Sequence, residues 1–147
     1  MHCSSSTTDA LHRVWLSLGS NLGDRRSLIR EAVRLIGESV GHVERQSSMY
    51  ETEPWGFESS HRFINACICC LTPHSPHEVL RLTQQIERQL GRTRKSAEGH
   101  YSDRPIDIDI LLYDDLHIDE PNLKIPHPLM HERDFVMKPL AEIRDKT

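Results

Sequence analysis

The sequence predicts an α+β sandwich, with helices laid over one face of an antiparallel sheet. Three observations carry that expectation. Apolar runs of strand length occur at residues 14–18, 63–71 and 106–113; two helical stripes separate them; and turn-forming residues mark the junctions. Residues 14–18 form the first strand, ended by the turn run Gly19-Ser20-Asn21. Asp24 then caps a helix whose apolar positions Leu28, Ile29, Ala32, Val33 and Ile36 make one stripe, stopped by Gly37 and Gly41. Residues 43–50 alternate weakly, as in a strand with one wet face. Residues 51–62 hold Pro54, Gly56 and two serines, and are expected to be a long loop before the buried strand 63–71.

Ser75-Pro76-His77-Glu78 matches a capping box with proline at the first helical position. Val79, Leu82, Thr83, Ile86 and Leu90 continue that helix, and Gly91 ends it. Residues 92–103 are polar and aperiodic, a second long loop. A strand follows at 106–113, then a return through Asp114-Asp115 to a short strand near His117 and Ile118. A short helix near 129–133 and a strand or coil at 135–140 complete the chain. The order βαββαβ is the split βαβ arrangement of the ferredoxin-like fold, here with a C-terminal extension. That fold hosts many functions and decides none of them.

Composition narrows the classes. The 147 residues carry 18 Lys and Arg against 22 Asp and Glu, a net charge of −4, which argues against a nucleic-acid surface. The longest apolar run, residues 66–71, is far short of the ~20 that a membrane helix needs. Residues 1–13 are rich in Ser and Thr and are expected to be disordered, leaving one domain over 14–147. A monomeric, cytoplasmic protein is expected. Cys67, Cys69 and Cys70 crowd one apolar segment, as reduced fillers rather than a disulfide or zinc set.

The sharpest local signal is Ile106-Asp107-Ile108-Asp109-Ile110. Alternation along a strand turns the isoleucines inward and both aspartates the other way, their Cα atoms about 6.5–7 Å apart. Two carboxylates so spaced can serve a pair of divalent cations, and hard oxygen ligands favour Mg²⁺. A solvated sheet face is the alternative, although Asp is disfavoured in strands. Arg92, Arg94, Lys95 and Arg104 lie in or beside the preceding loop, as cations suited to phosphate oxygens or as a charged run after a helix C-terminus. The Gly19–Gly23 segment lacks both common phosphate-loop patterns and is expected to be a structural turn. Trp55, Phe57 and Phe63 with Asn65 could stack on and hydrogen-bond an aromatic heterocycle, or could be core.

Several segments, in order, resemble the 6-hydroxymethyl-7,8-dihydropterin pyrophosphokinase family of folate biosynthesis. They are Leu18-Gly19-Ser20-Asn21-Leu22-Gly23, Tyr50-Glu51-Thr52-Glu53-Pro54-Trp55-Gly56, Phe63-Ile64-Asn65-Ala66, and Ile86-Glu87 through Gly91-Arg92-Thr93-Arg94-Lys95. Arg104-Pro105-Ile106-Asp107-Ile108-Asp109-Ile110-Leu111, Ile125-Pro126-His127-Pro128 and Arg133-Asp134-Phe135 continue the set, which spans about residues 14–143.

The resemblance implies transfer of a pyrophosphoryl group from ATP to the pterin hydroxymethyl, releasing AMP. By matching positions, Asp107 and Asp109 would hold two Mg²⁺, while Arg92, Arg94 and Arg104 would engage phosphates with Lys95 as helper. Gln84, Glu87, Ile110, His127 and Arg133 would line the ATP site. Phe63 and Phe135 would flank the pterin, Asn65 would bond its edge, and Thr52, Pro54 and Trp55 would close over it. The long loops 51–62 and 92–103 would act as lids against hydrolysis. Ser102-Asp103 stands where relatives read Gly-Pro, Tyr101 where Trp is common, and Phe63 where Tyr is common. An RNA-recognition module would need a basic, aromatic strand that Phe63-Ile64-Asn65-Ala66-Cys67 does not supply. A nuclease or another Mg²⁺-dependent nucleotidyl transferase would need a long basic groove.

Overall fold

The structure, a computed structural model, describes residues 11–53, 62–91 and 105–144. Its elements are β1 (His12–Ser20), α1 (Arg25–Ser39), β2 (His42–Gln46), β3 (Tyr50–Thr52), β4 (Phe63–Thr72) and α2 (Pro76–Gln89). They continue with β5 (Asp107–Tyr113), β6 (Ile118–Glu120), β7 (Leu123–Ile125), a 3₁₀ turn (Met130–Glu132) and α3 (Asp134–Arg144). The main sheet runs β2-β4-β1-β5, with β3 also paired to β4, and its pairings are antiparallel. That order is the ferredoxin-like one expected from the sequence. No helix among the described residues is long and apolar enough to cross a membrane.

Local chemistry explains the first two helices. The Asp24 carboxylate accepts from Ser27 N at the start of α1, and the Ser75 hydroxyl accepts from Glu78 N at the start of α2. The capping box of α2 is only half made, because the Glu78 carboxylate takes the Arg81 guanidinium. Ile29, Ala32, Leu35 and Ile36 of α1 and Val79 and Ile86 of α2 pack on Val14, Leu16, Leu18, Ile64, Ala66, Ile68, Ile106, Ile108 and Ile110. Burying a side chain of this size contributes roughly 1.5–3 kcal/mol.

Several expectations need correction, among them that of helices on one face only. Residues 135–140, expected as strand or coil, lie in helix α3, whose Val136, Leu140 and Ile143 pack with Cys67, Leu111 and Met130 on the opposite face of the sheet. Pro139 and the neighbouring Phe135 and Val136 disfavour a helix locally; burial of the stripe outweighs that preference. Helices therefore cover both faces, and every residue of β4 except Leu71 is buried. Gly19 and Ser20, expected as turn residues, extend β1 opposite Asn65 and Ile64, and β1 begins at His12. The single strand expected at 43–50 is two, β2 and β3, with buried Ser47 between them exchanging hydrogen bonds with the Cys67 backbone. β6 returns to β7 rather than to the main sheet.

Burial pushes the thiols of Cys67 and Cys70 up to about 12 and that of Cys69 up to about 11, against an ordinary 9.0. Thiolate is the nucleophile, so these three are inert. Peptide mapping after iodoacetamide treatment at pH 8 should find them unmodified in the native protein and fully alkylated in denaturant. Rapid native labelling of all three would mean that β4 is open. Because folding raises these pKa values, the stability they contribute is complete below pH ~9 and is lost as pH rises towards 11 and 12.

Candidate active site

Along β5 and the residue before it, the alternation places Ile106, Ile108 and Ile110 in the core, while Asp107 and Asp109 stand half-buried on the face shared with α3. A one-residue bulge at Leu111, where Trp15 pairs with Leu112 but Leu16 with Ile110, then shifts the phase of the strand. Tyr113 thereby re-enters the core instead of continuing the acidic face.

Register across the sheet assembles the rest. Gly19 of β1 lies between Asp107 on one side and Asn65 on the other, and Ser17 lies between Asp109 and Cys67. Tyr50 of β3 is opposite Asn65, and Thr52 is opposite Phe63. Residues directly opposite share a face. Asp107, Asp109, Asn65, Phe63 and Thr52 therefore stand on one surface, with only a glycine and a serine in the middle strand. A Cβ at Gly19 would sit 3.0 Å from Asn65 Oδ1 and 3.5 Å from Phe63 Cδ1. The missing side chain leaves a furrow beside Asn65, about 10 Å across from β4 to β5 at two strand spacings.

Asn65 is buried, and its Nδ2 donates to Thr52 Oγ1 at 2.5 Å. Its Oδ1 is the atom turned towards Gly19, so the furrow meets a hydrogen-bond acceptor on the β4 side. On the opposite side stand two carboxylates. A planar heterocycle with donor groups on one edge and an anionic chain held through a cation at the other end would suit both walls.

Two other expected residues, Glu87 and His127, meet the outer edge of β5. The buried carboxylate of Glu87, on α2, accepts Ile108 N at 2.7 Å, between the two aspartates. Gln84 lies one turn earlier on the same helix, half-buried. His127 N donates to Leu111 O at 3.0 Å, and the ring is oriented by Leu129 N donating to Nδ1 at 3.2 Å. Arg133 is buried, with its guanidinium 5.6 Å from the centroid of the Phe135 ring at the start of α3. The Ile110 side chain belongs to the core, so any contact with a nucleotide would be made by its main chain. Arg92, Arg94, Lys95, Arg104, Pro54 and Trp55 lie outside the described residues, as do most of the two expected lid loops.

Gly19 and Ser17 escaped the sequence reading. A glycine inside an apolar strand signals a close approach, but Gly19 next to Ser20 and Asn21 has the composition of a turn. The fit to a hard divalent cation rests on the donors present: two carboxylates on one face of β5 with open floor beside Asp107.

A family model described as 7,8-dihydro-6-hydroxymethylpterin-pyrophosphokinase (HPPK) matches residues 15–145. The chain is 52% identical over 131 residues to the 2-amino-4-hydroxy-6-hydroxymethyldihydropteridine pyrophosphokinase of Porphyromonas gingivalis, covering 88% of this chain and 89% of that protein. It is 45% identical over 130 residues to the protein of the same name from Bacillus subtilis, covering 88% and 76%. Among solved structures, wild-type Plasmodium falciparum HPPK-DHPS with SDX-DHP superposes with a TM-score of 0.70 at 18% identity, over 90% of this chain and 40% of that longer one. At that identity the likeness concerns the fold.

Proposed function

The chain belongs to the 7,8-dihydro-6-hydroxymethylpterin-pyrophosphokinase family, and from that premise we propose that the furrow over Gly19 is where its reaction takes place. The enzyme transfers a pyrophosphoryl group from ATP to the hydroxymethyl group of 6-hydroxymethyl-7,8-dihydropterin, releasing AMP, in folate synthesis. The observation that carries the assignment of the site is the row Asp107–Gly19–Asn65. It joins an acceptor suited to the pterin edge with carboxylates suited to a metal-bound triphosphate, across a strand with no side chain in the way.

The pterin oxygen must reach the β-phosphorus while the bond to the bridging oxygen breaks and AMP leaves. Asn65 and Phe63 hold the pterin, Thr52 fixes the amide of Asn65, and Phe135 is offered as the second flanking ring. Asp107 and Asp109 are the residues that would hold two Mg²⁺, which when bound neutralise phosphate charge and align the triphosphate. Glu87 braces Ile108 between them, so the two carboxylates stand on a strand whose edge is pinned. Gln84, His127, Arg133 and the Ile110 main chain are assigned to the nucleotide. Arg92, Arg94, Arg104 and Lys95 are assigned to the phosphates, and Pro54 and Trp55 to closure over the pterin. The catalytic gain comes from positioning and charge neutralisation.

A monomer in the cytoplasm, acting on small molecules rather than on nucleic acid or membrane, completes the proposal; the net charge of −4 supports the exclusion of nucleic acid. Incubating the protein with ATP, Mg²⁺ and the hydroxymethyl dihydropterin should yield AMP and the pterin diphosphate, resolved by ion-exchange chromatography. ADP as the nucleotide product would refute the reading, since it would mean transfer of a single phosphoryl group.

A further inference from the structure

Glu142, on α3, gathers three donors from the segment that leads into β3. Its carboxylate accepts Ser48 N at 3.1 and 3.0 Å, the Ser48 hydroxyl at 3.1 Å and the Tyr50 hydroxyl at 2.6 Å. Nothing in the transfer reaction uses this cluster. Its position, however, joins two parts of the pterin pocket. Tyr50 begins β3 opposite Asn65, and Thr52 ends it, opposite Phe63 and bonded to the Asn65 amide. Phe135 lies about two turns before Glu142 on the same helix, hence on the same side of it.

We propose that Glu142 is a positioning residue for the pterin: by clamping β3 to α3 it keeps Thr52 and Asn65 in register with Phe135. The inference rests on the pterin site described above. A carboxylate suits the task because its two oxygens can take an N–H and two hydroxyls together, and bonds to an ionised acceptor are the stronger kind. The Tyr50 phenol is held above its ordinary pKa by donating to Glu142, in keeping with that geometry. The same end of α3 has a second, different tether. Arg45 of β2 donates through Nη1 to Ile143 O at 2.8 Å, tying the helix to β2.

The two tethers make the inference testable. Steady-state KM for each substrate is measured on the full chain, well below each variant's Tm. Glu142→Ala should raise the pterin KM on the order of 10-fold, with the ATP KM within about twofold. Tyr50→Phe, a milder change that keeps the ring, should raise the pterin KM about threefold and leave that for ATP alone. Arg45→Ala should lower Tm and leave both KM values as in the wild type. A pterin KM unchanged in both Glu142→Ala and Tyr50→Phe, or equal rises for both substrates, overturns the inference. So does a rise in pterin KM in Arg45→Ala as large as in Glu142→Ala, which would make the effect one of helix anchoring in general. Asn65→Ala, run alongside, separates the two levels. If it keeps the wild-type pterin KM, the site itself is misplaced; if it loses pterin and Glu142→Ala does not, only the clamp fails.

Discussion

Asp107→Ala and Asp109→Ala should each lower kcat by about 10²–10³ while leaving the fold intact. Supplying a bound divalent cation at the transferring phosphates is worth several kcal/mol, and each 1.36 kcal/mol is tenfold in rate. Both side chains are half-buried on the face away from the main core, so their removal takes nothing from the apolar cluster that holds the helices to the sheet. Tm should therefore stay within a few degrees, and the Mg²⁺ concentration for half-maximal rate should rise at least about tenfold in the variant that retains measurable activity. Full activity in both variants would end the metal assignment. Loss of activity together with loss of the cooperative unfolding transition would point instead to a structural role.

Gly41→Ala should be the most destabilising small substitution among the described glycines. Gly41 turns α1 into β2, and its N–H joins that of Val40 on the Ile36 carbonyl. The turn is pressed against the end of β4, where the Thr72 hydroxyl donates to Val40 O at 2.6 Å. A Cβ at position 41 would lie 2.0 Å from Leu71 O and 2.9 Å from Thr72 Cα, both backbone atoms of a paired strand. Neither can rotate aside, so the cost is about 3 kcal/mol or more, read as a fall in Tm on the order of 10 °C. A melting curve superimposable on the wild type would mean that the α1–β2 turn sits off β4 in solution.

Much of this architecture is written locally. The caps at Asp24 and Ser75 stand directly before their helical stripes, and the isoleucine–aspartate alternation of β5 declares its two faces, because helix entry and strand pleat depend on neighbours in sequence. The same holds for the outward face of Asp107 and Asp109, whereas for Phe63 and Asn65 the residues alone left core and site open, and it is the cross-strand register that sets them on the face of the two aspartates. α3 is different: its stripe of Val136, Leu140 and Ile143 makes sense only against a second face of the sheet, and Pro139 argues locally for the opposite. The Leu111 bulge is a phase slip of one residue, invisible until β1 is laid beside β5. Gly19 acts through what it lacks, and only the cross-strand register reveals which residues its bareness serves. Glu142 is an ordinary helical glutamate until Ser48 and Tyr50, far away in sequence, come to meet it.

The central strand also sets a timetable. β1 precedes the other strands of the sheet, yet it must pair with β5 about a hundred residues later. Closing so long a span is entropically slow, and chains dominated by such distant pairings are late folders. A ribosome-bound chain that ends before β5 has the furrow's glycine but neither carboxylate beside it. If the furrow is the site proposed above, the two halves of its floor come together only when β5 docks against β1, so competence for transfer waits on the longest-range pairing of the sheet.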